Sequence, residues 1–282
     1  MKRILLLPNP MKPMALGLVG RLAGSLADNG FEPVIGDEIA GKSDRPAATK
    51  DALLTGVDLV MVLGGDGSML NAARRIYPRE IPLLGVNLGH LGFLTRVESD
   101  KIDEACRELR NGNYSFENRT MIEAEAPLPD AEPHRLVGLN ELVLTNPSTR
   151  LIRLETWIDD EYFTTYPADG LIVATATGST AYSLSAGGPI MDPRLRAIII
   201  TPICAHSLYA RPLVLSKDAR IRIVLNAECA PVSLTADGQD MLSLESGTAV
   251  VFRRAPSVTR LLRFNNQGLF KVLRSRLKEG RI

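Results

Sequence analysis

Cysteine is scarce. Cys106, Cys204 and Cys229 are the three in 282 residues; they lie far apart and form no Cys-x-x-Cys pair. An odd, scattered set excludes a disulfide-stapled scaffold and points to reduced thiols in a cytoplasmic setting. Histidine is equally rare. His90, His134 and His206 show no metal-ligand spacing, so no built-in metal site is expected. An excess of one charge is lacking too: 33 basic and 32 acidic residues leave a net +1. That balance removes the bulk electrostatic case for nucleic acid or an acidic membrane as partner. Arg253-Arg254 and Arg274-Ser275-Arg276 are short enough to be solvated faces. No apolar run reaches the ~18 residues of a membrane span. Ile4 to Leu7 stops at Pro8, too soon for the apolar core of a signal peptide. Neither a Gly-x-x-x-x-Gly-Lys-Ser/Thr loop nor a Gly-x-Gly-x-x-Gly fingerprint occurs, so any nucleotide must be held by another design. Internal repeats, heptads and low-complexity tracts are also lacking.

What is present is an apolar fraction of 45%, enough for a substantial core, on a chain long enough for two domains. The first ~110 residues alternate short apolar runs with helical spacing. Ile4 to Leu7, Val34-Ile35, Asp58 to Leu63 and Pro82 to Val86 read as strands. Ala15 to Asp28 and Ser68 to Ile76 read as helices. Ser99 or Asp100 is the expected cap of a further helix, with Ile102, Ala105, Cys106 and Leu109 on its core face and Gly112 at its end. This alternation predicts an α/β domain with a mainly parallel sheet. After about residue 116 the pattern becomes β-rich, with strands expected at Leu136 to Thr145, Ile152 to Ile158, Leu171 to Ala174, Ile198 to Pro202, Ile221 to Leu225 and Ala249 to Phe252. Ala126 to Pro133 carries three prolines and is expected to be a loop. Gln267 to Leu277 returns to helical spacing. The resulting division is 1–116, 117–260 and a C-terminal segment 261–282.

Two glycine-rich elements carry chemistry. Gly64-Gly65-Asp66-Gly67-Ser68 follows the strongest strand and opens a helix. Ligands of parallel sheets bind at the carboxyl ends of strands, and glycines there let backbone amides approach phosphate. A carboxylate at this spot could take the proton of an attacking alcohol or help to hold magnesium. A plain turn with Asp66 as helix cap is the structural alternative. The second element runs from Asp169 through Thr175-Ala176-Thr177-Gly178-Ser179-Thr180-Ala181-Tyr182-Ser183-Leu184-Ser185 to Gly187-Gly188-Pro189. It is dense in hydroxyls and carries no charge after Asp169, a lining suited to adenosine and its ribose. Tyr182 offers an aromatic face for a base. A Ser/Thr-capped helix is the alternative here.

Together these elements resemble the NAD kinase family. The likeness continues through Asn87-Leu88-Gly89-His90-Leu91-Gly92-Phe93-Leu94, Asn140-Glu141 and Ala210-Arg211-Pro212-Leu213-Val214-Leu215, from about residue 58 to 277. It implies phosphorylation of the 2′-hydroxyl of the adenosine ribose of NAD by ATP, other triphosphates or polyphosphate, with magnesium carried on the triphosphate. It implies an α/β domain, a β-rich NAD-binding domain, and a C-terminal helix returning to the first domain. By position, Asp66 is implied as proton acceptor, with Gly65 and Gly67 beside it in the NAD site. Asn140, Glu141 and Asp169 are implied as adenosine contacts. Thr177, Thr180, Ala181, Tyr182 and Ser185 form the hydroxyl-rich NAD loop. Arg150 is implied as a further NAD contact, and Gln239 as one made within a homodimer or homotetramer. Pro167 stands where many relatives have arginine, and Ala176 where proline is usual. His206 and His90 are expected to be structural, and His134 exposed. The alternatives are a lipid or sugar kinase with a similar phosphate loop, and a non-catalytic NAD sensor.

Overall fold

The computed structural model describes residues 1–35, 53–89, 92–128, 131–146, 151–226, 231–264 and 273–274. The chain forms two compact units, one from Met1–Asn118 with Thr259–Arg281, the other from Arg119–Val258.

In the first unit the strands Glu32–Ile35, Arg3–Pro8, Leu59–Leu63 and Leu83–Asn87 lie side by side in that order, all parallel. Every residue of Leu59–Leu63 and of Leu83–Asn87 is buried, as expected of central parallel strands covered on both faces. The helix Pro13–Asp28 starts with proline in its first turn and buries Ala15, Val19, Leu22 and Leu26 at helical spacing. A second helix spans Asp66–Ile76. The third, Ile102–Asn111, buries the four residues its spacing named and ends on Gly112 at φ 73°, the left-handed turn that glycine adopts without strain. Its cap differs from expectation. Ser99, Asp100 and Lys101 form a single 3-10 turn, Lys101 takes the cap position, and no side chain caps the helix. The unit's core joins Ile4, Leu6, Met61, Leu84 and Val86 to Leu22, Leu26, Ile102, Cys106 and Leu109.

The second unit holds an antiparallel sheet ordered Leu213–Ser216, Ala197–Ile203, Gly170–Thr175, Glu141–Thr145, Val232–Ala236, Asp240–Leu244. Leu142, Leu144, Leu171, Val173, Ile198 and Ile200 from this sheet share one core with Leu154, Ile221, Ile223, Leu225 and Phe252 from Ile152–Ile158, Ile221–Asn226 and Ala249–Phe264. Alternate residues of Ile152–Ile158, Ile221–Asn226 and Val232–Ala236 are buried, the pattern of a sandwich, whereas Gly170–Thr175 is buried throughout because Ala176 and Met191 pack with Ile172 and Ala174 on its other face. Fully burying each Leu, Ile or Phe contributes about 1.5–3 kcal/mol, so this core stabilises the unit strongly.

Three expectations are corrected. The proline-rich stretch is largely strand: Tyr114–Leu128 pairs antiparallel with Ala131–Gly138. Pro127 falls at a register shift between Ala126 and Leu128, and Pro133 lies on a strand with a single partner, so neither removes a needed ladder bond. Leu136 to Thr145 is two strands, not one, broken at Leu139-Asn140. Ala249–Phe264 is 16 residues long, well beyond Phe252. Arg253 is exposed, as expected of a solvated face, and also donates from Nε to Glu123 Oε1 at 2.6 Å. The helical stretch Gln267 to Leu277 lies outside the described residues except for Leu273 and Arg274.

Candidate active site

In the first unit the parallel register sets Pro8 beside Leu63 and Leu63 beside Val86. The loop Gly64–Ser68 therefore leaves the carboxyl end of the sheet, where backbone groups are exposed to a ligand. Gly64 N–H donates to Val86 O at 2.9 Å, and Asn9 N–H to Leu63 O at 2.9 Å. The Asn9 amide donates to Ser68 Oγ at 3.0 Å. A β-carbon on Gly64 would overlap Ser68 Cβ and Oγ, so glycine is required for this helix to start so close to the strand.

Asp66 is not the helix cap. That position belongs to Gly65, and no side chain caps the helix. Asp66 is the first helical residue, and its carboxylate turns to a loop nearly thirty residues on. Phe93 N–H donates to Oδ2 at 2.8 Å; Leu94 and Thr95 N–H donate to Oδ1 at 3.0 and 3.2 Å. Three backbone donors fix the side chain while leaving it half-buried. They also tie the Gly92–Thr95 loop to the strand–helix turn. Asn87, buried at the end of its strand, has an Nδ2 with no hydrogen-bond partner among the described residues.

In the second unit the break at Leu139-Asn140 has a physical cause. Asp237, on a hairpin tip with φ 49° and followed by Gly238 at φ 65°, aims its carboxylate at three amides of this turn. Leu139 N–H donates to Oδ2 at 3.0 Å, and Asn140 and Glu141 N–H donate to Oδ1 at 2.8 and 3.2 Å. Thr175 completes the enclosure. Its N–H donates to Asn140 O at 2.8 Å, and its hydroxyl donates to Leu139 O at 2.7 Å. Gly178 packs so tightly on Asn140 O that a β-carbon would overlap it. Asn140, Glu141 and the start of the Thr/Ser-rich loop are thus one assembly. Glu141 is 7% exposed, and Oε2 has no partner among the described residues. Burial, and secondly the charge of Asp237, push its carboxyl up to about 8.

The hydroxyls of the loop divide by role. Ser179 Oγ donates to Ala176 O at 2.7 Å and accepts Met191 N–H at 3.0 Å; Ser183 and Thr201 share a hydrogen bond of 2.8 Å. These residues and Thr175 are buried, so packing accounts for part of the hydroxyl pattern. Thr180 and Ala181 are half-buried, and Tyr182 and Ser185 are exposed. Thr177 is buried, with Arg119 Nη1 at 3.4 Å from its hydroxyl. Gln239 is exposed on the hairpin two residues beyond Asp237. Asp169 stands apart: it precedes the strand Gly170–Thr175, about 20 Å from Thr175 at the strand's other end. Pro167 pairs with Arg153 across the strands. His206 is exposed at its ring and donates its backbone N–H to Pro167 O at 2.7 Å. His134 is exposed as expected. Arg150 and His90 lie outside the described residues.

Comparison with known proteins decides the family. Residues 4–114 match the ATP-NAD kinase N-terminal domain and residues 139–264 the ATP-NAD kinase C-terminal domain. The chain belongs to the ATP-NAD kinase family. An NAD kinase of Carboxydothermus hydrogenoformans is 44% identical over 225 residues, 79% of this chain and 80% of that one. An NAD kinase of Caldanaerobacter subterraneus subsp. tengcongensis is 38% identical over 99% of this chain and 100% of its own. Among solved structures, yeast NADH kinase complexed with NADH superposes with a TM-score of 0.88 at 26% identity, covering 99% of this chain and 87% of that one. An NAD kinase from Archaeoglobus fulgidus, in complex with ATP, shares the fold at a TM-score of 0.78 and 23% identity, covering 98% of both chains. As an ATP-NAD kinase, the chain holds its two glycine-rich motifs in one unit each. Sequence reasoning missed Asp237, Thr175 and the amides of Phe93 to Thr95. The left-handed Asp-Gly turn was a signal for Asp237, but its partner turn lies 96 to 98 residues away.

Proposed function

We propose that this chain transfers the γ-phosphoryl group of ATP to the 2′-hydroxyl of the adenosine ribose of NAD, forming NADP. The observation that carries this reading is the Asp66 carboxylate, held by three amides at the carboxyl end of a parallel sheet in an ATP-NAD kinase. Phosphoryl transfer has a loose transition state, and catalysis rests mainly on positioning and charge stabilisation. Asp66 accepts the proton of the ribose hydroxyl as the oxygen–phosphorus bond forms. Gly65 and Gly67 keep the turn bare of side chains, so phosphate oxygens can approach the helix N-terminus. Asn140, Glu141, Thr177, Thr180, Ala181, Tyr182, Ser185, Asp169, Arg150 and Gln239 are the proposed NAD contacts.

No group of three or more His, Cys, Asp or Glu among the described residues could hold a metal ion. Magnesium is carried on the triphosphate, where it neutralises charge on the phosphate oxygens. Cys106 and Cys204 are free thiols, which supports a reducing, cytoplasmic setting. No helix among the described residues is long and apolar enough to cross a membrane. Leu208, Tyr209 and Met241 are 87%, 90% and 70% exposed, which supports a homodimer or homotetramer.

The purified chain is incubated with NAD, ATP and magnesium, and NADP is detected with an NADP-specific dehydrogenase. Formation of NADP is expected. ATP consumption with diacylglycerol or fructose 6-phosphate but not NAD would overturn the assignment, as would NAD binding with no turnover.

A further inference from the structure

We propose that Asp237 is a positioning residue for NAD: it clasps the Leu139–Glu141 turn and presents the carboxyl of Glu141 to the bound nucleoside. The inference rests on the assignment of Asn140 and Glu141 as NAD contacts.

Four hydrogen bonds make the clasp. The Asp237 carboxylate accepts the three amides of the turn, and its own N–H donates to Glu141 O at 3.0 Å. Hydrogen bonds to a charged group contribute about 1.5–3 kcal/mol each, more than neutral ones. A left-handed non-glycine residue at the hairpin tip is uncommon, and aspartate is among the few that tolerate it. Gly138 closes the arrangement. A β-carbon there would sit 2.8 Å from Glu141 O and 3.2 Å from Asp237 Oδ1, so any side chain at 138 would prise the turn from the hairpin.

Glu141 supplies the second observation. It is buried, one carboxyl oxygen lacks a partner among the described residues, and Asp237 accepts the N–H of the same residue. The other side of the turn is Thr175 and Gly178, which carry no charge; Arg119 stands beyond, against Thr177. Burial first, and the charge of Asp237 second, push the Glu141 carboxyl up to about 8. Glu141 therefore keeps its proton at neutral pH and offers an O–H donor. A nucleoside presents ring nitrogens and sugar oxygens as acceptors, whereas an ionised Glu141 would offer them only repulsion.

The test is Asp237→Asn, which keeps the shape and removes the charge. Initial rates are measured against NAD and against ATP from pH 6 to 9.5, with Tm recorded alongside. We expect KM for NAD to rise about tenfold, the effect of losing roughly one such bond. KM for ATP should stay within about twofold, the scatter expected for a contact that the substitution does not touch. Wild-type kcat/KM for NAD should fall on the alkaline side as Glu141 ionises, and in Asp237→Asn that limb should move to lower pH. An equal fall in kcat at unchanged KM and unchanged pH profile would make Asp237 merely structural and overturn the proposal. Should Asp237→Asn not fold, Gly138→Ala tests the same clasp, and a folded Gly138→Ala enzyme with wild-type KM for NAD would sink it. A wild-type enzyme that makes no NADP removes both the functional reading and this inference. NADP formation with an unmoved KM in the variants removes the inference alone.

Discussion

The α-carbon of Gly92 lies against the carboxylate of Asp66, so close that a β-carbon at position 92 would overlap all three carboxyl atoms. Gly92→Ala must therefore displace either the loop or the aspartate. A misplacement of about 1 Å at a reacting group costs about 10²-fold in rate. We expect kcat to fall by about that factor while circular dichroism stays native. Wild-type kcat in a folded Gly92→Ala enzyme would show that the placement of Asp66 is not limiting.

Asp66→Asn keeps the size of the side chain and removes the proton acceptor. Losing general-base help lowers rates by about 10²–10⁴. Turnover should drop within that range, with Tm close to wild type. Undiminished turnover would assign the proton to another group.

Tyr182 is 42% exposed at the start of a four-residue helix, with its ring available to a base. Stacking of a base on an aromatic ring contributes about 1–3 kcal/mol by alanine substitution. Titration calorimetry of Tyr182→Ala should show NAD binding weakened by about five- to 150-fold and ATP binding less affected. Equal affinity for NAD would remove Tyr182 from the site.

Glu141 makes the fold sensitive to pH in one direction. Its carboxyl is raised from 4.5 to about 8 by burial first and by Asp237 second. Below pH 4.5 it is protonated whether the chain is folded or not, and it does not oppose folding. Between 4.5 and 8 the folded chain keeps a proton that the unfolded chain releases, so stability falls as pH rises, and above 8 the loss levels off. Urea unfolding at pH 5.5 and 8.5 should show a smaller decline for Glu141→Gln than for wild type. Identical declines would mean that Glu141 ionises normally in the folded chain.

Much of the first unit could be read from the sequence because its cues are local. Leu59 to Leu63 is uninterrupted and apolar, and Ile102, Ala105, Cys106 and Leu109 fall on one helical face, so short windows suffice. The second unit depends on partners far along the chain. Nothing near Asn140 shows that the strand breaks there, because the carboxylate that holds the turn comes from Asp237. The length of Ala249–Phe264 was hidden by Arg253-Arg254 and Pro256, residues that discourage a strand reading until Arg253 finds Glu123. The hydroxyl-rich loop drew attention for a reason only half right, since Ser179 and Ser183 serve packing.

Three main-chain N–H groups hold Asp66, those of Phe93, Leu94 and Thr95, with the Thr95 hydroxyl 3.5 Å from the same carboxylate. Every amino acid but one carries a main-chain N–H. The half-buried side chain at 93 can therefore change across lineages without loosening the aspartate, whereas Leu94 is kept apolar by its own burial. Proline is the substitution that this loop cannot absorb, and an inventory of natural variants should find it missing there.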